Sequence, residues 1–209
     1  MAELIRGLDA GRIADNLARI REEIGDGAQI LAAVKYVAVE ELDALAEAGV
    51  TVVGENRAQE LEVKASAHPE LTWDFIGHLQ SRKVKQVVPY VRWIHSVASD
   101  SALKELEKHA APQTEVLVEV NIAREEGKSG IDPGELDAFL ERCPVTVVGL
   151  MTMPPMADRP EDSRRWFAAL AELAGERGLR ELSMGTSQDY AVAAQEGATI
   201  VRLGTILYT

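Results

Sequence analysis

Cysteine and long apolar runs are both scarce in this chain. Its 209 residues include one cysteine, Cys143, so no internal disulfide can form, which suits a reducing compartment. The first residues lack the apolar core of a signal peptide, and no apolar run approaches the length that a membrane span needs. We therefore expect a cytoplasmic protein that does not enter a membrane.

Positive charge is also in short supply. The sequence has 22 Lys and Arg residues against 34 Asp and Glu residues, which gives a net charge of -12. Such an acidic surface argues against extended binding to nucleic acid or to anionic membranes, and we expect a monomer without a metal site. An acidic protein that binds an anion needs a local pocket of backbone amides and a few cations.

The sequence instead contains a regular alternation of short apolar runs and helical patterns. Ile13, Leu17, Ile20 and Ile24 share one face of an opening helix that should end near Gly25. Eight apolar runs then follow, each separated from the next by a helical pattern. The eight predicted strands cover residues 30–34, 50–54, 73–77, 93–97, 115–120, 145–150, 181–184 and 199–203.

This alternation predicts an α/β fold. Runs that are apolar without strict alternation suit parallel strands covered on both faces, and crossovers through helices require parallel strands. Eight such units close most naturally into a (β/α)8 TIM barrel, here with an extra N-terminal helix. An open, doubly wound sheet is the alternative, because alternation alone does not demonstrate closure. No linker divides the sequence, so we expect a single domain over residues 1–209.

Two turns of small residues near the end of the sequence favour an anion site. One contains Gly185, Thr186 and Ser187, and Ser187 could cap the helix that follows. The other is Gly204-Thr205, where glycine lets the main chain approach a ligand closely. Helix starts and Gly-rich turns bind phosphate because unpaired N–H groups and the helix dipole point the same way. An ordinary capped helix and a tight turn would account for the same residues.

Barrel closure would bring Lys35 close to these turns. Lys35 follows the first strand, and closure places the eighth strand, which carries Arg202, beside the first. If Lys35 faces inward, alternation places Leu31 inward as well, and if Arg202 faces inward, so does Ile200. A lysine amine among apolar residues can attack an aldehyde to form a Schiff base, so these residues describe a site for an aldehyde that carries a phosphate, such as pyridoxal 5′-phosphate (PLP). A solvated lysine at a strand end is the alternative.

Further polar residues follow the predicted strands. Asn56 could hydrogen-bond a ring substituent such as the phenolic oxygen, and His78 could either touch the ligand or bond loop carbonyls. The long loops 121–131 and 152–160 lie over the site by the barrel rule, so Lys128 is a candidate to meet a substrate or partner.

Nine stretches, in order along the chain, share the pattern of one protein family. They cover residues 31–35, 54–60, 73–81, 94–96, 118–121, 128–130, 149–152, 182–185 and 201–205. Together they resemble the pyridoxal phosphate homeostasis proteins of the YggS/PROSC type, which are similar to the N-terminal barrel domain of alanine racemase. The resemblance implies a PLP fold-type III-like barrel.

The resemblance also implies a function. PLP would be the cofactor, and the protein would act in intracellular vitamin B6 and amino-acid homeostasis without firm catalytic turnover, with PLP-requiring apo-enzymes as candidate partners. Lys35 would be the Schiff-base lysine and Arg202 the partner of the pyridine nitrogen. The remaining residues predicted to bind the cofactor are Asn56, His78, Ser183, Gly185, Thr186, Ser187, Gly204 and Thr205.

Two other functions would use the same residues. A PLP-dependent amino-acid racemase of low activity would need a tyrosine base opposite Lys35, and none of the 4 tyrosines can be placed there from the sequence. A lysine-dependent aldolase acting on a sugar phosphate would be colourless, and borohydride would trap its lysine only with substrate present. Because an arginine partner stays protonated, the pyridine nitrogen stays neutral and the ring is a weak electron sink. We therefore predict a non-catalytic PLP holder.

Overall fold

Eight parallel strands close into a barrel in the computed structural model, which describes residues 4–209. Each strand pairs with the next in sequence, and the eighth pairs with the first. The predicted closed barrel is therefore confirmed, and the open sheet is excluded. The strands are β1 (Gln29–Ala33), β2 (Val52–Glu55), β3 (Thr72–Phe75), β4 (Trp93–Val97), β5 (Glu115–Glu119), β6 (Thr146–Met151), β7 (Glu181–Thr186) and β8 (Ile200–Leu203).

The predicted extra N-terminal helix is confirmed as α1 (Ala10–Ile24). The Asp9 carboxylate caps it by accepting a hydrogen bond from the Arg12 N–H at 2.8 Å, and the helix ends at Gly25, whose φ of 66° suits glycine. The other helices are α2 (Leu42–Glu47), α3 (Ala58–Ala67), α4 (Val84–Val87), α5 (Asp100–His109), α6 (Leu136–Glu141), α7 (Arg164–Gly175), α8 (Tyr190–Gln195) and α9 (Thr205–Tyr208).

Successive side chains of a strand point alternately into the barrel and toward the helices. Leu31, Val52 and Ile200 form a separate buried cluster inside the barrel. Ala32 and Val34 belong instead to the main apolar core between strands and helices. The register expected for β1 and β8 is therefore confirmed.

Ring closure joins residues from the two ends of the chain. Leu31 on β1 is the register partner of Arg202 on β8. Outside the barrel, the Asn16 side chain on α1 donates hydrogen bonds to the Leu207 and Thr209 carbonyls at 3.2 Å. The carboxyl end of β1 therefore lies beside the last residues of the sequence.

The start of α8 differs from our prediction. Ser187 does not cap this helix, which begins at Tyr190 without a side-chain cap. The Asp189 carboxylate turns back and accepts hydrogen bonds from the N–H and the hydroxyl of Thr186, at 2.8 and 3.2 Å. The Ser187 hydroxyl accepts a hydrogen bond from the Gly204 N–H at 3.2 Å. The cap prediction is therefore wrong, and Ser187 links the two small-residue turns instead.

Candidate functional site

A cavity of about 320 Å³ lies at the carboxyl ends of the strands, and we call it the inner cavity. Five of the predicted site residues line it, although they are far apart in sequence. They are Lys35, Asn56, His78, Thr186 and Arg202. The carboxyl ends of parallel barrel strands meet at one face, which brings these side chains together.

Lys35 lies in the turn directly after β1 and is partly exposed. Its Nζ is 4.6 Å from the centroid of the Tyr36 ring, which is within range of a cation–π contact. The turn is tied to the N-terminal segment, because the Ile5 N–H donates to the Tyr36 carbonyl at 2.6 Å and Ile5 forms a bridge with Val37. The main chain of this turn is therefore held by the N-terminal segment.

Asn56 presents an unused polar atom to the same region. Its Oδ1 is buried, and it has no hydrogen-bond partner among residues 4–209. Buried polar atoms are nearly always paired, so this one favours a ligand with a donor group in the inner cavity. Gly77 permits the local packing, because a Cβ there would lie 2.1 Å from the Asn56 carbonyl oxygen.

Arg202 is a buried cation that borders the inner cavity. Its Nη1 donates to the carbonyl and the hydroxyl of Ser183 at 2.7 and 2.6 Å, and its Nη2 donates to the Thr152 carbonyl at 2.9 Å. Burial lowers the pKa of Arg202 to about 10, against the opposing effect of Glu119 and Asp189. The guanidinium therefore stays charged at neutral pH.

Ser183 does not line the inner cavity, but it connects Arg202 to a chain of polar side chains inside the barrel. Its hydroxyl lies 2.8 Å from Nδ1 of His95, whose Nε2 lies 3.2 Å from Asp74. Burial lowers the pKa of His95, so the neutral ring accepts from Ser183 and donates to Asp74. Burial would raise the pKa of Asp74, but hydrogen bonds from His95 and Arg92 lower it below its usual value. In this row of hydrogen bonds, Arg202 donates to Ser183, Ser183 donates to His95, and His95 donates to Asp74.

Glu119 is a cavity residue to which our sequence reasoning assigned no role. It lies at the end of β5 and lines the inner cavity. Burial raises the pKa of its carboxyl, and the positive charge of Arg202 opposes this effect. Strand alternation could have located it, since Glu119 lies on the same face of β5 as Leu117, which is buried but does not belong to the main core between strands and helices.

The two small-residue turns lie next to each other but contribute only Thr186 to the inner cavity. Ser187 and Gly204 are joined by the hydrogen bond described above, and the exposed Thr205 begins α9. Gly185 serves packing, because its φ is 90° and a Cβ there would lie 2.5 Å from the Cβ of Ala193. The phosphate role of these turns stays a prediction.

A second cavity of about 770 Å³ adjoins the first, and we call it the outer cavity. It shares Glu119 and Thr186 with the inner cavity and includes Lys128. His78 is exposed and its Nδ1 lies 3.1 Å from the Ser129 hydroxyl, so it contacts a loop as well as the inner cavity. Residues of both long loops line the outer cavity, as expected for loops at this end of a barrel.

Neither a metal cluster nor a membrane segment is found in the described part of the chain. Within residues 4–209, no group of three or more His, Cys, Asp and Glu side chains is arranged to hold a metal ion. None of the helices in that range is both long enough and apolar enough to cross a membrane.

Comparison with known proteins assigns the chain to a family. Residues 8–209 match the family model described as alanine racemase, N-terminal domain. A pyridoxal phosphate homeostasis protein of Aquifex aeolicus is 40% identical over 215 aligned residues, which cover 94% of each protein. The chain belongs to the pyridoxal phosphate homeostasis family. The family predicted from the nine motifs is thus confirmed.

Solved structures agree with this family and with the barrel. PipY of Synechococcus elongatus PCC7942, solved with PLP bound, is 32% identical with a TM-score of 0.82, covering 94% of this chain and 100% of PipY. Alanine racemase of Corynebacterium glutamicum is 19% identical with a TM-score of 0.72, covering 96% of this chain and 61% of the racemase. The second similarity shows a shared barrel fold.

Proposed function

We propose that this member of the homeostasis family binds PLP as a Schiff base with Lys35 and holds it without catalytic turnover. The cofactor so held would serve intracellular PLP and amino-acid homeostasis and would be available to PLP-requiring apo-enzymes. The observation that carries the proposal is the convergence of Lys35, Arg202 and the unpaired Asn56 oxygen on one cavity. A relative solved with PLP bound supports it.

The residues of the inner cavity fit the functional groups of PLP. Lys35 offers an amine for the aldehyde, and the Asn56 carboxamide can hydrogen-bond the ring hydroxyl. The proposed phosphate ligands lie in the adjoining small-residue turns, outside the inner cavity; they are the Ser187 hydroxyl, which the Gly204 N–H bonds in this structure, and the amides of Gly204 and Thr205. Bound PLP supplies an aldehyde and an electron-withdrawing ring.

The same residues favour holding the cofactor over using it. Lys35 would hold the cofactor through its amine, which would form a carbon–nitrogen double bond with the aldehyde carbon and release the aldehyde oxygen as water. With a pKa of about 10, Arg202 keeps its proton at neutral pH and would donate a hydrogen bond to the pyridine nitrogen of bound PLP. A pyridine nitrogen held in this way stays unprotonated, so the ring withdraws electrons weakly and carbanion chemistry is limited.

The positions of the tyrosines also argue against two-base racemisation. All 4 tyrosines lie within the described residues, and none lines the inner cavity. The Tyr190 hydroxyl contacts Glu23, and the Tyr208 hydroxyl donates to the Ala33 carbonyl at 3.0 Å. A second base opposite Lys35 would have to come from another residue type.

Borohydride reduction tests the proposal directly. The purified protein should be yellow, and reduction followed by peptide mapping should find PLP fixed on Lys35. Lys35→Ala should abolish the covalent attachment of PLP. The contacts to the phosphate group should retain part of the non-covalent binding of PLP. Lys104→Ala, at an exposed position of α5, is the matched control and should attach PLP like the wild type.

Three results would contradict the proposal. One is PLP fixed mainly on another lysine. The second is a colourless protein whose lysine is trapped only when a sugar phosphate is added, which indicates an aldolase. The third is steady racemisation of alanine at ordinary enzyme rates, about 1 to 10³ s⁻¹.

A further inference from the structure

A buried ion pair lies between β2 and α3, outside the residues that line the inner cavity. Glu55 is fully buried at the end of β2, and Lys64 on α3 is 2% exposed. The Lys64 Nζ lies 2.6 Å from Oε2 of Glu55. Because burial costs two such charges much of their hydration, a pair of this kind is weak evidence for stability. The other hydrogen bonds of Lys64 and Glu55 indicate a role for the pair besides stability.

Each member of the pair holds the main chain beside a cavity residue. The Lys64 ammonium donates to the Val34 carbonyl at 2.7 Å, directly before Lys35. The other carboxylate oxygen, Oε1 of Glu55, accepts from the Asn56 N–H at 2.7 Å and from the next N–H at 3.0 Å. The pair thus connects the end of β1 to the end of β2.

At the end of β1, side chains add to the main-chain hydrogen bonds. The Val34 N–H still donates to the Gly54 carbonyl at 2.9 Å. The Val34 carbonyl accepts from the Val37 N–H at 3.0 Å within the turn and also from the Lys64 ammonium. The Ala33 carbonyl accepts from the Tyr208 hydroxyl at 3.0 Å. The two side-chain donors therefore add contacts that connect the start of the Lys35 turn to α3 and α9.

We propose that Lys64, together with Glu55, is a positioning residue for Lys35 and Asn56. The inference rests on the proposed function, since it concerns the geometry in which the amine meets the aldehyde. The ammonium fixes the carbonyl before Lys35, and the carboxylate fixes the amide of Asn56. A misplacement of about 1 Å at a reacting group can lower a rate about a hundredfold, so a constraint this close affects bond formation.

Lys64→Met tests the role, because methionine keeps the length of the side chain and removes the donor. We expect the covalent bond between PLP and Lys35 to form about ten- to a hundredfold more slowly, measured by stopped-flow absorbance with PLP in excess. The circular dichroism of bound PLP, per mole bound, should also change, because it reports the geometry around the lysine. Loss of stability alone would not alter that signal in the folded fraction.

Two further variants keep the test decisive. The double variant Lys64→Met/Glu55→Gln leaves no unpaired buried charge, so it folds where the single variant is too unstable, and it should be equally slow. Leu61→Ala removes a fully buried side chain from the same helix but keeps every hydrogen bond of the Lys64–Glu55 pair, and it should attach PLP within about twofold of the wild-type rate.

Wild-type rate and dichroism in the Lys64 variants would overturn the positioning role, as would an equal slowing in Leu61→Ala. These outcomes are separate from failure of the proposed function. If borohydride does not fix PLP on Lys35 of the wild type, the proposed function and the positioning role are both wrong. If it does, and the Lys64 variants behave like the wild type, only the positioning role is wrong.

Discussion

His95 is an imidazole that folding keeps neutral, and this has a consequence for acid stability. Burial lowers its pKa below the ordinary value of 6.5. As the pH falls below 6.5, the unfolded chain therefore binds a proton that the folded chain does not bind. Stability should fall over that range. The lowered pKa of Asp74 also makes stability fall as the pH falls, but this effect belongs to the range near and below its ordinary pKa of 3.8.

We expect His95→Gln to remove most of this dependence. Between pH 7 and pH 5, the urea midpoint should fall less steeply for the variant than for the wild type. Glu119 acts in the opposite sense, because its raised pKa adds stability as the pH falls, but it is present in both proteins and cancels in the comparison. The exposed His109 supplies the control, and His109→Gln should follow the wild type. Equal slopes for wild type and His95→Gln would show that His95 is not the group responsible.

Individual site residues were predictable from the sequence where alternation along a single strand was enough to place them in the cavity. Lys35 and Arg202 follow from alternation along β1 and β8, and alternation along β5 would have found Glu119. The contacts of His95 and Asp74 were not predictable in this way. They depend on which side chains of β3, β4 and β7 meet inside the barrel, and the stagger of the strands sets that.

Among the elements, the packing of α8 on the end of β7 gives a sharp prediction. Gly185→Ala should destabilise the protein by about 2–5 kcal/mol, because its φ is 90° and the new Cβ would lie 2.5 Å from that of Ala193. Gly178→Ala has a similar φ of 65° but no atom within 4 Å, and it should cost about 1–2 kcal/mol. Urea titration of both variants measures the difference.

The affinity for PLP should also differ between Gly185→Ala and Gly178→Ala. Gly185 directly precedes the turn of Thr186 and Ser187, so only Gly185→Ala should weaken PLP binding to the folded protein. Equal stability losses in the two variants would show that contact with α8 is unimportant. Unchanged PLP binding in Gly185→Ala would argue against this turn as a phosphate ligand.

The strands were more predictable than the helices. Every predicted strand end lies within two residues of the observed one, because each apolar run is bounded by polar or small residues. The helical pattern expected between β3 and β4 is α-helical only at Val84–Val87, with 3₁₀ turns on both sides. Local turns such as the one at Asp189 set helix ends, and periodicity does not reveal them.

For the whole molecule, the extent of the domain and the oligomeric state are still predictions. We expect one cooperative unfolding transition, since a single barrel joins the first strand to the last. Tryptophan fluorescence and far-ultraviolet circular dichroism should give the same urea midpoint. Sedimentation equilibrium should give the mass of one 22.7 kDa chain. Separate midpoints would contradict the single unit, and a dimer mass would contradict the monomer.

The sequence alone did not decide whether the eight strands form a closed barrel or an open sheet. Eight alternating units are compatible with an open sheet, and only the pairing of β1 with β8 decides between the two. The family was predictable because nine motifs spread over the chain match it together. The cytoplasmic location and the apo-enzyme partners stay predictions, because they concern surroundings that the chain does not contain.

The pairing of the first strand with the last also has a consequence for synthesis on the ribosome. Lys35 leaves the ribosomal tunnel well before Arg202 is made, because Arg202 lies far behind it in the sequence. Until β8 is added, the amine has no guanidinium beside it and the ring of strands stays open. A complete pocket for the cofactor therefore has to wait until β8 has been made, and a nascent chain stalled before β8 lacks one wall of it.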